Sequence, residues 1–134
     1  VAHTWGSSPR QPGALMVLGE SGRFAGSVSG GCIESELLAR IRDNFPTRFE
    51  TVEYRSDTSR TLPCGGRLLL TLEPLAELPD LQGMLAALAA GQAVERRLDL
   101  AAGTAAWSLA GPEARTLLDD TRLALVYEPA WRLV

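Results

Sequence analysis

Apolar side chains recur at a helical spacing in one segment of the chain. One falls every four residues ahead of Pro46, at Ile33, Leu37, Ile41 and Phe45. This spacing places all four on one face of an amphipathic helix, and the proline ends the helix. The pattern predicts a helix that packs this face against a core.

Elsewhere the apolar residues form short runs separated by glycine-containing turns, which is typical of β-hairpins. One hairpin is predicted to join residues 14–18 to 23–28, and a second to join 93–100 to 105–109. Further strands are predicted at residues 1–4, 49–54, 67–73 and 122–127. A second helix is predicted at residues 80–90, with these side chains facing inward: Leu81, Met84, Leu85 and Leu88. Because strands adjoin each other along the chain, the order favours an α+β fold with a mixed or mostly antiparallel, hairpin-rich sheet and two short helices.

The composition excludes several classes of protein. The 134 residues are 46% hydrophobic and 22% charged, which is too apolar for a disordered chain. The net charge of −3 has the wrong sign for a general nucleic-acid-binding protein. No apolar run approaches the roughly 20 residues of a membrane span, and no N-terminal segment has the pattern of a signal peptide. We therefore expect a cytoplasmic protein with no nucleic-acid partner and no membrane partner.

The cysteines are two in number, which is too few for a disulfide scaffold, and each stands beside a pair of glycines. Gly30–Gly31 precede Cys32, and Gly65–Gly66 follow Cys64. Thiolates are soft ligands suited to transition-metal or sulfur chemistry, so we expect the two thiols to share one site. The alternative is that the glycines only turn the chain and that the cysteines are small buried hydrophobic residues.

A second candidate feature is the segment that leads into the first predicted helix. The first N–H groups of a helix have no intrahelical partner, and the positive end of the helix dipole lies there. Gly30 and Gly31 allow a ligand to approach the backbone, and Ser29 adds a hydroxyl group. A phosphate or another anion is expected to bind at such a position, and the same field favours a Cys32 thiolate.

The third candidate feature is a polar loop after the first predicted strand. Ser7 and Ser8 are separated from Arg10 by one proline, and two hydroxyls with a guanidinium group can hold a phosphate. Trp5 can stack on a flat heterocycle, although most tryptophans are core residues. His3 is expected to be a strand residue rather than a catalyst. The sequence contains none of the usual glycine-rich nucleotide-binding motifs.

Taken in order, these motifs resemble a known family. TWGSSPR at residues 4–10, GSVSGGCIE at 26–34 and CGG at 64–66 are similar to the N-terminal domain of the XdhC/CoxI family. Its members are xanthine dehydrogenase accessory factors, related to carbon monoxide dehydrogenase maturation proteins. The resemblance covers residues 1 to about 75 by sequence. The remainder resembles the family only in the arrangement of its predicted elements.

The resemblance implies a function as a molybdenum-cofactor chaperone and not as an enzyme. Such a protein transiently binds the molybdopterin form of the cofactor, assists its sulfuration by a cysteine desulfurase and delivers it to a xanthine dehydrogenase-type molybdoenzyme. It also implies a homodimer. By position, it assigns metal or sulfur contacts to Cys32 and Cys64. It assigns contacts to the pterin and its phosphate to Trp5, Ser7, Ser8, Arg10, Ser29, Gly30 and Gly31.

The resemblance also leads us to expect that the chain is part of a longer protein. Val1 lies within a predicted strand, and the chain stops in an apolar run. Residues 1–128 are expected to form one N-terminal domain, and residues 129–134 the start of a linker to a C-terminal Rossmann-like domain that is missing here. The sequence departs from the family pattern in reading PC at residues 63–64, where AC is expected.

Two other functions remain open. In the first, Cys32 is the nucleophile of a thiol-dependent sulfur-transfer enzyme, although His3 is the one histidine that could serve as its base. In the second, the glycine-rich loops are only turns, and a sheet edge makes the chain a plain dimerising interaction domain. Titration of the thiols separates the first of these from the second.

Overall fold

The computed structural model of the chain describes residues 1–6, 10–31, 33–55, 66–75 and 81–129. The helices are α1 (Glu34–Asp43) and α2 (Leu81–Ala89). The strands are β1 (His3–Trp5), β2 (Met16–Leu18), β3 (Phe24–Gly26), β4 (Glu50–Arg55), β5 (Arg67–Leu72), β6 (Val94–Asp99), β7 (Thr104–Leu109), β8 (Leu117–Leu118) and β9 (Arg122–Tyr127). Every strand pair among the described residues is antiparallel, which confirms the predicted hairpin-rich α+β fold.

The chain divides into two compact units, Val1–Glu73 and Pro74–Val134. The boundary falls where the sequence changes from loops rich in glycine and serine to a plainer pattern. The assignment of residues 1–128 to one domain and of 129–134 to a linker stays a prediction.

The first unit is built on a three-stranded sheet in the order β1-β5-β4. Alternate residues of β5 are buried, namely Leu68, Leu70 and Leu72, as expected for a sheet with one face against a core. The same core cluster contains Ile33, Leu37 and Ile41 from the apolar stripe at α1. The helix and the sheet thus bury their apolar faces together.

Helix α1 is shorter than its apolar stripe predicted. It ends at Asp43, before Phe45, and Phe45 is 44% exposed. The prediction that Phe45 belongs to the buried face is therefore wrong. Since a residue that precedes a proline is disfavoured in the α conformation, Pro46 removes Phe45 from the helix.

The hairpin predicted from residues 14–18 and 23–28 is confirmed as β2 and β3. Met16 pairs with Gly26, and Leu18 pairs with Phe24. Gly26 has a φ of +84°, and a Cβ at this position would lie 2.3 Å from the carbonyl oxygen of Leu15. The close approach of the two strands at this point therefore requires a glycine.

The second unit is a four-stranded sheet in the order β7-β6-β9-β8 with α2. The predicted second hairpin is confirmed, since Asp99 pairs with Thr104 at its turn. Strand β8 was not predicted. Met84 and Ala87 of α2 are buried, whereas Leu85 is 54% exposed, so the prediction that Leu85 faces inward is wrong.

None of the helices in the described ranges has the length and apolar character needed to cross a membrane.

Candidate functional site

The loop between β3 and α1 folds around the carboxylate of Glu34. Among the described residues, groups in 27–31 and 33 donate six hydrogen bonds to this carboxylate. Oε1 accepts from the Ser27 hydroxyl at 2.8 Å and from the N–H groups of Val28 at 3.1 Å and Ser29 at 2.9 Å. Oε2 accepts from the Ser29 hydroxyl and from the N–H groups of Gly31 at 3.0 Å and Ile33 at 3.3 Å. The Glu34 side chain is thus the centre of the loop.

Serines and glycines are required at several positions around this carboxylate. Gly30 and Gly31 have φ values of +73° and +110°, a region that residues with a Cβ rarely adopt, and they bend the chain around Glu34. The Ser29 side chain is completely buried. Its hydroxyl donates to Glu34 and accepts from the Ile33 N–H at 3.0 Å. The Ser27 hydroxyl accepts from the Gly30 N–H at 2.9 Å.

These contacts decide the charge of Glu34. Burial alone would raise the pKa of its carboxyl group, because the charged form loses water. The hydrogen bonds from the hydroxyls of Ser29 and Ser27 and from backbone N–H groups outweigh burial and lower the pKa from 4.5 to about 2. Glu34 is therefore a buried anion at neutral pH.

The start of α1 thus already holds an anion that the protein itself supplies. The N–H groups of Ser29 and Gly31, which we expected to contact a phosphate, donate to Glu34. The Gly30 N–H donates to Ser27. The assignment of Ser29, Gly30 and Gly31 to cofactor binding stays a prediction, and Glu34 is the residue that sequence reasoning missed. An acidic residue in the first turn of a helix, after a loop rich in serine and glycine, is the signal for it.

Two contacts bring the three sequence motifs together. The guanidinium Nε of Arg10, at the end of TWGSSPR, lies 3.5 Å from the hydroxyl oxygen of Ser27 in GSVSGGCIE. At the other end of the first motif, a Cβ on Gly6 would lie 3.3 Å from the Cα of Gly66 in CGG. The loop from Trp5 to Arg10 therefore reaches the third motif at its beginning and the second motif at its end.

Strand pairing fixes the junction of the first and third motifs. Trp5 is opposite Arg67 in the β1–β5 register. The Arg67 guanidinium carbon lies 3.9 Å from the centroid of the Trp5 ring, and its Nε donates to Oε1 of Glu53 on β4. The His3 ring is tilted against Trp5 with 5.4 Å between ring centroids. Arg67 thus covers one face of the Trp5 ring. The expected stacking of Trp5 on a pterin would therefore use the other face.

Four predicted site residues lie outside the described residues: Ser7, Ser8, Cys32 and Cys64. Their assignment as phosphate, metal or sulfur contacts stays a prediction, as does the site shared by the two thiols. Within the described ranges, His, Cys, Asp and Glu form no group of three that could hold a metal ion.

Comparison with known proteins gives the fold and the motifs a context. Residues 1–55 match the model of the XdhC and CoxI family. The molybdenum cofactor insertion chaperone PaoD of Escherichia coli K12 is 34% identical over 98 residues, which are 70% of this chain and 31% of that protein. A crystal structure described as a xanthine dehydrogenase from Bacillus halodurans has the same fold, with a TM-score of 0.70 and 24% identity over 96% of this chain and 47% of that one. The chain therefore spans about a third of the length of PaoD and about half of the solved chain.

Proposed function

We propose that the chain, whose residues 1–55 match the model of the XdhC and CoxI family, binds molybdenum cofactor as cargo and helps to insert it into an enzyme. The similarity to a molybdenum cofactor insertion chaperone supports a role in cofactor maturation. The cargo is bound transiently and handed on. The protein itself acts as an accessory factor without catalysing a redox reaction.

The observation that carries this proposal is the meeting of the three motifs. A cofactor with a phosphate, a flat pterin and a thiophilic metal needs cations, a stacking surface and soft ligands in one place. Arg10 reaches the GSVSGGCIE loop, and Gly6 reaches the CGG motif. The loop contacts support a single binding region made from all three segments, which the sequence separates by up to about sixty residues.

Within this region we assign the phosphate to Arg10, with the hydroxyls of Ser7 and Ser8. The two thiols, Cys32 and Cys64, are assigned to the metal or to the sulfur that it receives. Ser29, Gly30 and Gly31 border the region and are shaped by Glu34. Trp5 is assigned a stacking contact with the pterin through the ring face that Arg67 does not cover.

The proposal extends to the partners. The recipient is a xanthine dehydrogenase-type molybdoenzyme, a cysteine desulfurase supplies the sulfur, and the chaperone acts as a cytoplasmic homodimer. The two cysteines suit a compartment such as the cytoplasm, where thiols stay reduced. The rival sulfur-transfer enzyme needs an activated thiolate near α1. It is disfavoured because the N–H groups of Ser29, Gly31 and Ile33 already donate to Glu34.

Co-purification tests the proposed function. The protein is expressed from its complete coding sequence in cells that synthesise the cofactor, and bound pterin is measured by the fluorescence of its oxidised form alongside molybdenum. We expect both in the purified protein, and less of both in Cys32→Ser and Cys64→Ser variants. A protein that carries neither pterin nor molybdenum refutes the function. Unchanged loading of both variants refutes the role of the thiols.

A further inference from the structure

Arg67 occupies the point at which two of the three motifs meet, a position that only the strand register reveals. It directly follows Gly66, the last residue of CGG, and it pairs with Trp5, from which the WGSSPR loop departs. The close approach of Gly6 to Gly66 lies at the same end of the strand pair. An arginine at this position stands beside the loop that carries both serines assigned to phosphate.

The guanidinium group of Arg67 is held in place on two sides. Its carbon lies 3.9 Å from the centroid of the Trp5 ring, a distance at which the cation is attracted to the face of the ring. Its Nε donates to the Glu53 carboxylate on the neighbouring strand. Such contacts fix the plane of the group, so that less conformational entropy is lost when it binds a ligand.

The Nη edge of the same group is available for a ligand. Among the residues that the structure describes, Nε is the nitrogen of Arg67 with a hydrogen-bonded partner, and the side chain is 42% exposed. Within the described ranges no residue accepts a hydrogen bond from the Nη groups, which are well suited to two oxygens of a phosphate.

We propose that Arg67 binds the phosphate of the cargo through its Nη groups, with Trp5 and Glu53 as the residues that orient it. This inference rests on the proposed function. It adds Arg67 to the residues that bind the cargo, and it makes Trp5 a residue that orients Arg67. Trp5 serves as the platform for a guanidinium group, so that Arg67 and Arg10 bind at the two ends of the WGSSPR loop. The heterocycle of the cofactor then lies away from the ring face that Arg67 covers.

The test compares cofactor loading in variants of the protein expressed from its complete coding sequence. Arg67→Ala is expected to lower the pterin retained per protein by about 10-fold or more, since it removes charged hydrogen bonds. Arg67→Lys keeps the charge but loses the planar donor pair, so an intermediate loss is expected. The matched control is Arg122→Ala, which also removes a strand arginine paired with a carboxylate, here Asp99 at 3.6 Å, and it should load as the wild type does.

Competition with inorganic phosphate identifies the part of the cargo that is bound. Phosphate should release pterin from the wild-type protein, and the pterin that Arg67→Ala retains should be less sensitive to it. Equal loading of wild type, Arg67→Ala and Arg67→Lys overturns the inference and leaves the proposed function standing. Reduced loading of Arg67→Ala with unchanged sensitivity to phosphate also overturns it. A wild-type protein without pterin overturns the function and this inference together. Far-UV circular dichroism checks that each variant is folded. If Arg67→Ala does not fold, the inference is tested by comparing the pterin retained by Arg67→Lys with that of the wild type.

Discussion

Replacing Glu34 by Gln removes the charge at the centre of the loop before α1 while keeping the shape of the side chain. The amide oxygen can accept from some of the groups that now bind the carboxylate. Its NH2 group, however, faces donors such as the N–H groups of Gly31 and Ile33. Buried donors that lose their acceptor are costly, so the variant is expected to be clearly destabilised.

The pKa of Glu34 gives the size of the effect. A carboxyl group with a pKa of about 2 in the native state and 4.5 in the unfolded state stabilises the native state at neutral pH by about 3 kcal/mol. Because the native pKa is the lower one, this contribution is complete above about pH 5 and is lost as the pH falls towards about 2. It is a large part of the roughly 5–15 kcal/mol that is typical of a small domain.

Urea unfolding followed by circular dichroism from pH 7 to pH 3 measures the effect. The free energy of unfolding should differ by about 3 kcal/mol between wild type and Glu34→Gln at pH 7, and the difference should shrink as the pH falls. Glu36→Gln is the matched control, because Glu36 lies exposed in the first turn of the same helix, and its curve should follow the wild type within about 1 kcal/mol. A difference between wild type and Glu34→Gln that stays constant across this range refutes the reasoning, as does a Glu34 carboxyl that titrates near pH 4.5 by NMR.

Three further outcomes follow from packing and backbone geometry. Gly26→Ala should lower the free energy of unfolding by at least about 3 kcal/mol, because its Cβ would lie 2.3 Å from a backbone oxygen. Gly91 has the same φ of +84° but nothing within 4 Å of an added Cβ, so Gly91→Ala should lower it by about 1–2 kcal/mol. Thermal unfolding measures both. Met84 is buried, so Met84→Ala should lower the free energy of unfolding by about 2–5 kcal/mol. Leu85 next to it is exposed, and Leu85→Ala should lower it by less than about 0.5 kcal/mol. Equal effects would contradict the burial of Met84. Gly6→Ala introduces a Cβ 3.3 Å from backbone at a φ of +72°, so it should reduce retained pterin, and full retention would contradict the role of this contact.

The parts of the fold that could be predicted from sequence are those whose cause is local. Both hairpins follow from apolar runs on either side of a glycine-containing turn, and the buried face of α1 follows from the spacing of Ile33, Leu37 and Ile41. The errors arise where a local pattern was extended past a competing constraint. Phe45 continues the stripe but stands before a proline, and Leu85 continues the stripe of a nine-residue helix that buries Ala87 instead.

The candidate site shows a different limit. The sequence identifies the three motifs, because the binding of anions, metals and sulfur uses glycine, serine, cysteine and arginine. It does not reveal which donors are already satisfied, since this depends on contacts among side chains and backbone. Glu34 belongs to the GSVSGGCIE motif, and its place in the first turn of a helix suits an acidic residue. That signal does not show that six donors of the described residues converge on its carboxylate. Arg67 likewise acquires its importance from the register with Trp5.

These two residues together change how the protein is expected to recognise an anion. The N–H groups at the start of α1 already bind a carboxylate, and a phosphate placed beside them would be repelled by the charge of Glu34. We therefore expect the attraction to come from cations, and Arg67 lies at the beginning of the WGSSPR loop and Arg10 at its end. The loop before α1 contributes rigidity, because its own carboxylate accepts hydrogen bonds from the N–H groups of Ser29 and Gly31. On the proposed function, binding and release of the cargo are expected to involve the arginines and to leave the fold of this loop unchanged.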